Sequence, residues 1–112
     1  MAETKKRIVA VCSDGKWPGC SVHPNFGRCD FFNFLEIGKG KPKLLESIAN
    51  PFVNAQGAGI SAASLIAEKK ASAVIAGQFG PNASGALSKW GIEMVEATGE
   101  AKKALKGIKV KA

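Results

Sequence analysis

The chain has 112 residues, of which 46% are hydrophobic and 22% are charged, and its formal net charge is +7. This length and balance predict one globular domain over residues 1–112, and they exclude a disordered chain and a pair of full-sized domains. No run approaches the roughly 20 apolar residues of a membrane span. The start of the chain also lacks a signal-peptide pattern, so we expect a cytoplasmic protein with no membrane partner.

The positive charge is concentrated in lysine clusters near both ends of the chain and in the loops. Such clusters are usually solvated termini and loop faces. The alternative is attraction to an anionic partner, which is a nucleic acid, an acidic protein or a small polyanion. Tyrosine is absent and no basic stripe is interleaved with aromatic residues, so nucleic acid is not favoured.

Three strands are predicted in the first half of the chain. Ile8–Cys12 is an unbroken apolar run, typical of a central strand covered on both faces. A loop rich in Gly, Pro, Ser and Asn covers 13–29, and Phe31–Ile37 follows as a second strand. Gly38–Gly40 predicts a turn into a third strand at about Lys43–Ile48, so we expect an antiparallel hairpin.

Helices and strands alternate in the second half of the chain. A loop covers Asn50–Ala58. The pattern then predicts a helix over about Gly59–Lys70, a strand over Ala73–Ala76 and a helix that begins at Pro81 and stops at Gly91. A strand over Ile92–Glu96 and a last helix from about Glu100 complete the chain. Thr98 is the expected N-cap of the last helix and Gly107 its stop.

The resulting order is β-β-β-α-β-α-β-α. Right-handed crossovers predict that strands one, four and five are parallel, with the hairpin adding antiparallel strands at one side. We therefore expect an α/β fold, a three-layer α/β/α sandwich with a five-stranded mixed sheet.

Parallel strands end at one edge of a sheet, where ligands usually bind. Helix starts near 56–59, 80–82 and 98–100 should face that edge, and free amides at helix starts bind anions. The predicted cofactor-binding residues are Arg28, Gly57, Gly59, Gly77, Gly80, Pro81, Asn82, Thr98 and Gly99. The glycines would let backbone approach a ligand closely, although turn geometry alone also explains glycine at such junctions.

Soft ligands lie in the long loop after the first strand. Cys12, Cys20 and Cys29 form no Cys-x-x-Cys pattern, and free thiols are expected in a reducing cytosol. Cys12 closes a buried strand and is expected to be a small core residue. His23, Cys20 and Cys29 have no evident packing role in a polar loop, so they are the predicted metal ligands, brought over the sheet edge by the loop as a lid.

Hydrolytic catalysis is not supported, because the chain has one histidine, no Gly-x-Ser-x-Gly and no Walker A motif. We therefore expect a binding or carrier protein and not an enzyme. Two alternatives remain: an enzyme or sensor for a phosphorylated metabolite that uses the same helix starts, and a basic protein-interaction domain.

Three stretches carry a resemblance to a known family: FGRCDFF (26–32), NPFVNAQGAGISAASLIAEKKASAVIAGQFGPNASGAL (50–87) and GIEMVEATGE (91–100). In combination they make the chain similar to the dinitrogenase iron–molybdenum cofactor biosynthesis family, the NifX-type domains that also follow the radical enzyme NifB. The similarity runs nearly end to end.

The resemblance implies a ribonuclease-H-like fold without that enzyme's carboxylates. It also implies non-catalytic binding, carrying or transfer of an iron–sulfur or molybdenum-containing cluster between donor and acceptor proteins. The similar orange protein type holds a molybdenum–copper sulfide cluster without covalent attachment. Many relatives have a histidine directly before Phe-Gly, a suspected cluster ligand, where this chain has Asn25. Either His23 reaches the site through a reshaped loop, or cysteine and backbone groups replace that histidine.

Overall fold

The computed structural model describes residues 7–38, 42–52 and 56–106. Within them the chain forms, in order, β1 (Arg7–Ser13), β2 (Phe31–Ile37), β3 (Lys43–Ala49), α1 (Ala58–Glu68), β4 (Ala73–Ala76), α2 (Pro81–Lys89), β5 (Glu93–Glu96) and α3 (Ala101–Leu105). The strands make one five-stranded sheet with the order β3-β2-β1-β4-β5. The predicted element order and mixed sheet are confirmed. No helix of the described ranges is long and apolar enough to cross a membrane.

Strand pairing follows the predicted topology. β1 is antiparallel to β2 and parallel to β4, and β5 is parallel to β4. β2 and β3 form the expected antiparallel hairpin, although most of its predicted turn lies outside the described residues. β1, β4 and β5 therefore end together at Ser13, Ala76 and Glu96, and we call this side of the sheet the carboxyl edge.

Alternation along β1 separates two apolar layers. Ala10 and Cys12 belong to the core beneath α1 and α2, whereas Val9 and Val11 belong to the core beneath α3. All four side chains are fully buried. Because successive strand side chains point to opposite faces, the sheet lies between the two helical layers, as predicted for a three-layer sandwich.

Small residues let α1 and α2 approach each other closely at their starts. A Cβ added to Gly59 would lie 3.2 Å from the Cβ of Ala83, which is tight packing. Ala62, Ala63 and the larger Leu87 are buried in the same layer. The two helix starts are therefore immediate neighbours at the carboxyl edge.

The helix ends differ from the sequence-based expectation in two places. α3 has Glu100 as its N-cap, so the prediction that Thr98 caps it is wrong. The cause is a contact with a distant part of the chain. Glu100 pairs with Ser21 in an isolated antiparallel bridge, so the residues before it are not helical. α1 ends before Lys70, whose φ of 63° is not helical. Gly91, with φ of 69°, follows α2 as expected, and Gly107 lies outside the described residues.

Asn33 is a fully buried amide on the α3 face of β2. Its Oδ1 accepts hydrogen bonds from the backbone N–H of Trp17 and the hydroxyl of Ser47. Its Nδ2 donates to the Ser13 hydroxyl and to the carbonyl of Gly15. One side chain thus fixes the first part of the β1–β2 loop (residues 14–30) against the sheet.

Replacing Asn33 with alanine should lower the free energy of unfolding by about 3 kcal/mol, because several buried polar groups lose their partner at once. Urea denaturation followed by circular dichroism measures this loss. Asn82→Ala, at an exposed position in α2, is the control and should stay within about 0.5 kcal/mol of wild type. Equal urea midpoints for the two variants would contradict the structural role of Asn33.

Candidate functional site at the carboxyl edge

The β1–β2 loop crosses the carboxyl edge and is bonded to the strand ends through its backbone. The His23 N–H donates to the carbonyl of Cys12 (2.8 Å), and the Gly77 N–H donates to the carbonyl of His23 (2.9 Å). The Phe26 N–H donates to the carbonyl of Gln78 (3.0 Å). His23 therefore bridges the ends of β1 and β4, so the loop lies over this edge as predicted.

The same loop also reaches the start of α3. The Val22 N–H donates to the carbonyl of Gly99 (2.8 Å), and the Ala101 N–H donates to the carbonyl of Cys20 (3.0 Å). Because α3 packs on the other sheet face from α1 and α2, Thr98 and Gly99 lie across the sheet from the other helix starts. The expectation of three starts around one ligand is corrected to two neighbouring starts, those of α1 and α2.

Two of the predicted ligand-binding glycines, Gly77 and Gly59, pack against other segments of the protein and not against open space. A Cβ on Gly77 would lie 2.5 Å from the Cα of Pro24. Gly59 packs against Gly27 of the loop and against α2. Gly27 has a φ of 93° and would place a Cβ 3.1 Å from the Cα of Gly59. These glycines allow the loop to pack on the edge. Around Gly57, Gly80 and Gly99 the space is open.

Gly77→Ala should cost about 1–3 kcal/mol of stability, because the new methyl group meets backbone that cannot rotate away. Gly80→Ala is the matched control, since a Cβ there meets nothing within 4 Å and its φ is −72°. Thermal unfolding should give a clearly lower midpoint temperature for Gly77→Ala than for Gly80→Ala. A Gly77→Ala protein as stable as Gly80→Ala would show that the loop does not press on β4 in solution.

The His23 imidazole is half-buried and lies beside the backbone of Asn25. Its Nδ1 is 3.0 Å from the Asn25 nitrogen and 3.2 Å from the Asn25 carbonyl oxygen. Whether Nδ1 accepts or donates depends on the tautomer, but both contacts engage the same nitrogen. Nε2 has no hydrogen-bond partner within the described residues, which leaves it as the nitrogen able to bind a metal or donate to an anion.

The exposed side chains of the β1–β2 loop carry no net charge. The exposed ionic side chains of the β1–β2 loop are Asp14, Lys16, Arg28 and Asp30, whose charges cancel. Arg28 follows Gly27, the residue that touches the start of α1. The excess positive charge of the chain therefore lies outside this loop.

The three cysteines are all buried, so the expectation that Cys20 and Cys29 have no packing role is wrong. Cys20 is 7% exposed and belongs to the α3-side core, whereas Cys29 is fully buried in the core beneath α1 and α2. Cys12 is the small core residue that was predicted. Among the described residues no group of three His, Cys, Asp or Glu side chains is placed to hold a metal ion. His23, Cys20 and Cys29 therefore do not converge.

Asn50 is a positioning residue that sequence reasoning did not identify. Its buried Nδ2 donates to the carbonyls of Gly27 (3.0 Å) and Cys29 (2.8 Å), and its Oδ1 accepts from the Phe52 N–H (2.8 Å). The Asn50-Pro51 pair predicts a turn of this kind, because an Asx side chain often bonds the backbone two residues on. The contacts to the distant loop have no such local signal.

Burial raises the pKa of the Cys12 thiol well above its usual value, and the hydrogen bond with Cys29 raises it further, while a backbone hydrogen bond from Gly27 lowers it. Burial is also the main cause of the raised pKa of Cys20. Both thiols thus hold their protons more tightly in the folded than in the unfolded chain.

These pKa shifts predict a loss of stability in alkaline solution. The stability gained from keeping each thiol protonated is fully present below the unfolded-state pKa of about 8.5. It is lost as pH rises towards the folded-state pKa. Each thiol should contribute up to about 1.4 kcal/mol per pH unit to the slope. Urea denaturation between pH 8 and 9.5 should give a shallower slope for Cys12→Ala than for wild type. Equal slopes would mean that Cys12 does not stay protonated on folding.

A surface cavity of about 440 Å³ lies away from the carboxyl edge, where α1 and α2 end. It is lined by Ala67, Lys70, Ala71, Ser72, Trp90, Gly91 and Ile92. None of the predicted ligand residues lines it, and helix carboxyl ends disfavour anions. The cavity is therefore not the anion site that the sequence predicts.

Solved structures share this α/β fold. The apo form of the orange protein from Desulfovibrio gigas superimposes with a TM-score of 0.74, at 26% identity over 93% of this chain and 88% of that chain. A Thermotoga protein proposed to be a NifB protein superimposes with a TM-score of 0.73, at 24% identity over 90% of this chain and 85% of that one. The latter likeness establishes the fold alone.

A family model described as dinitrogenase iron–molybdenum cofactor matches residues 5–110. The chain therefore belongs to the dinitrogenase iron–molybdenum cofactor family, as its motifs predicted. An uncharacterized protein of Methanocaldococcus jannaschii is 39% identical over 77 residues, which is 68% of this chain. The match covers 65% of the length of that relative.

Proposed function

We propose that this protein binds a preformed anionic metal–sulfur cluster, iron–sulfur or molybdenum-containing, at the carboxyl edge and passes it between a donor and an acceptor protein without catalysis. The observation that carries the proposal is the position of His23, whose peptide groups are bonded to the ends of β1 and β4 in the loop that packs on the start of α1. Membership of the dinitrogenase iron–molybdenum cofactor family identifies the class of cargo.

The two neighbouring helix starts favour an anionic cargo. Gly57 caps α1 and Gly80 caps α2, and glycine has no side chain that could satisfy the first amides of a helix. Uncapped amides and the positive ends of two helix dipoles attract negative charge. Arg28 follows Gly27, which packs on the start of α1, and adds a full positive charge to this part of the loop. Sulfide-rich clusters are negatively charged, so the edge and the cargo are complementary.

The ligand set supports a cluster that brings its own sulfide. Iron–sulfur clusters built into proteins are usually held by four cysteine thiolates. The described residues contain no group of three potential metal ligands. Cys20 and Cys29 lie too deep to touch a surface-bound cluster in this conformation. A cargo held by one imidazole, amides and charge fits this arrangement, and weak holding suits transfer.

The role proposed for His23 is the one that relatives give to the histidine before Phe-Gly. The His23 ring lies within hydrogen-bond distance of the backbone of Asn25, the residue at that position. His23 and Asn25 are therefore close neighbours in the loop, and the Asn25 side chain accepts a hydrogen bond from Gln78. We infer that His23 supplies the imidazole from two residues earlier in the sequence.

Anaerobic reconstitution with ferrous iron, sulfide and molybdate tests the proposal. Wild type should bind metal and acid-labile sulfide and become coloured, and His23→Ala should lose most of this occupancy because the only imidazole is removed. The double variant His23→Ala/Asn25→His, which restores the arrangement of relatives, should recover it. Equal occupancy in wild type and His23→Ala would remove the role of His23, and absence of a cluster from every protein would end the proposal.

Electrostatic attraction is tested by removing one positive charge at two places. Arg28→Gln should lower cluster affinity by about threefold to tenfold, in proportion to a local interaction of about 1 kcal/mol. Lys89→Gln removes the same charge from the far end of α2 and should leave affinity unchanged. Titration at low and high salt supplies the measurement. An equal loss in both variants would indicate attraction to net charge and not to the carboxyl edge.

A further inference from the structure

The surface cavity where α1 and α2 end is not used by the proposed cluster binding. It has a volume of about 440 Å³, and the buried side chains of Ala71 and Ile92 line it together with Trp90. Trp90 is 45% exposed, so a large aromatic surface borders an open concave space. Tryptophan in such a place is typical of the residues that carry the binding energy of protein–protein contacts. We call this space the Trp90 cavity.

The two helix ends that border the Trp90 cavity share one backbone conformation. Each ends in a Schellman motif, in which two N–H groups beyond the helix donate to carbonyls of its last turn. The left-handed residue of the motif is Lys70 after α1 (φ 63°) and Gly91 after α2 (φ 69°). Lys70 is the one non-glycine residue with a positive φ in the described part of the chain. Glycine adopts this conformation without strain, so lysine at the equivalent position lowers stability, which is typical of functional sites.

We propose that the Trp90 cavity docks an acidic segment of a partner protein, in which a large apolar side chain is flanked by aspartate or glutamate. The apolar side chain packs on Trp90, and a flanking carboxylate pairs with Lys70. Lys70 lines the cavity, is exposed and takes part in no ion pair among the described residues. The inference does not depend on the cluster or on His23.

The charges around the Trp90 cavity favour an acidic partner. Two ion pairs near the helix ends carry no net charge, Lys69 with Glu46 (3.0 Å) and Arg7 with Glu93 (2.8 Å). The other charged residues of the helix ends are all exposed, and cations exceed anions among them: Lys70, Lys89 and Glu68. The net charge of +7 also attracts an acidic surface from a distance and repels a second copy of the chain. Because helix carboxyl ends disfavour anions, the apolar side chain enters the cavity and the carboxylate stays at the exposed Lys70.

The position of the Trp90 cavity leaves the carboxyl edge free. α1 starts at that edge and ends at the cavity, and its 11 residues span about 16 Å. A partner segment docked on Trp90 therefore does not cover His23. Docking of a partner and binding of a cargo can occur at the same time.

Fluorescence titration of the Trp17→Phe protein, in which Trp90 is the single tryptophan, measures docking. The probe is a blocked synthetic peptide with a central phenylalanine flanked by aspartate and glutamate. We expect a saturable change with a dissociation constant below about 1 mM. Peptides with alanine in place of the phenylalanine, or lysine in place of the acidic residues, should bind at least about tenfold more weakly. No saturable change up to about 1 mM, or equal binding of the three peptides, would overturn the proposal.

Nuclear magnetic resonance titration of wild-type protein locates the docked peptide without any substitution. The amide signals of residues 67–72 and 90–92 should shift, whereas those of the carboxyl edge should not. Shifts confined to the carboxyl edge would overturn the assignment of the site. Concentration-dependent shifts of the same amides without peptide would identify a second copy of the chain as the occupant, and they would also overturn the proposal.

Variants measured in the same way test the two main contacts. Lys70→Gln should weaken peptide binding about threefold to tenfold, whereas Lys102→Gln, which removes the same charge from α3 on the other sheet face, should not. Trp90→Ala should weaken it at least about tenfold. Its matched control is Ile60→Ala, since Ile60 is a similarly exposed apolar residue (49%) at the other end of α1. Equal affinities within either pair of variants would overturn the role of the residue concerned.

Lys70→Gly separates a binding role from a structural one. It should raise the midpoint of thermal unfolding by about 2–4 °C, because glycine relieves the left-handed strain, and still weaken peptide binding. A lower midpoint together with unchanged affinity would show that Lys70 serves the fold alone. His23→Ala should bind the peptide as wild type does, so failure of this proposal and failure of cluster binding are distinguishable.

Discussion

The architecture of the candidate site depends on backbone hydrogen bonds between one long loop and the ends of the parallel strands. His23 accepts from the end of β4 and donates to β1 through its own peptide groups, so the loop continues the hydrogen bonding of the sheet beyond its edge. Without these bonds the polar loop would have no fixed relation to the two helix starts. Because a backbone bond does not depend on side-chain identity, a loop of unusual sequence can keep this geometry.

Two buried asparagines hold this loop at two points. Asn33 bonds the first part of the loop on the α3 face, and Asn50 bonds the segment around Gly27 on the other face. Each amide satisfies donors and acceptors that would otherwise be buried without partners, so each is worth more than a surface hydrogen bond. Two glycines also help to position the loop. Because Gly77 and Gly59 have no side chain, the backbone of the loop can pack directly against their backbone. The loop is thus a packed layer with its own polar anchors.

Soft-ligand chemistry is divided between the surface and the core. The imidazole of His23 is half-buried at the edge, whereas the thiols lie inside, on both sides of the sheet. The same loop separates the two depths, because its backbone carries His23 outward and Cys29 inward within seven residues. The helix dipoles act only at the outer level, on charge that lies close to the first turns of α1 and α2.

Local pattern in the sequence determined the strands, the helices, their order and the family. Unbroken apolar runs marked β1 and β4, and helical periodicity together with Pro81 and Gly91 marked α2, because these signals depend only on near neighbours. The position of the loop across the carboxyl edge also followed, since parallel strands must end together. Only the tertiary structure decided which face each cysteine enters and that α3 begins across the sheet from α1 and α2. It also decided that Gly77 faces Pro24 and that Asn50 holds a segment more than twenty residues away. These are contacts between distant parts of the chain, and a polar loop of Gly, Pro, Ser and Asn carries no periodicity from which its inward and outward faces can be read.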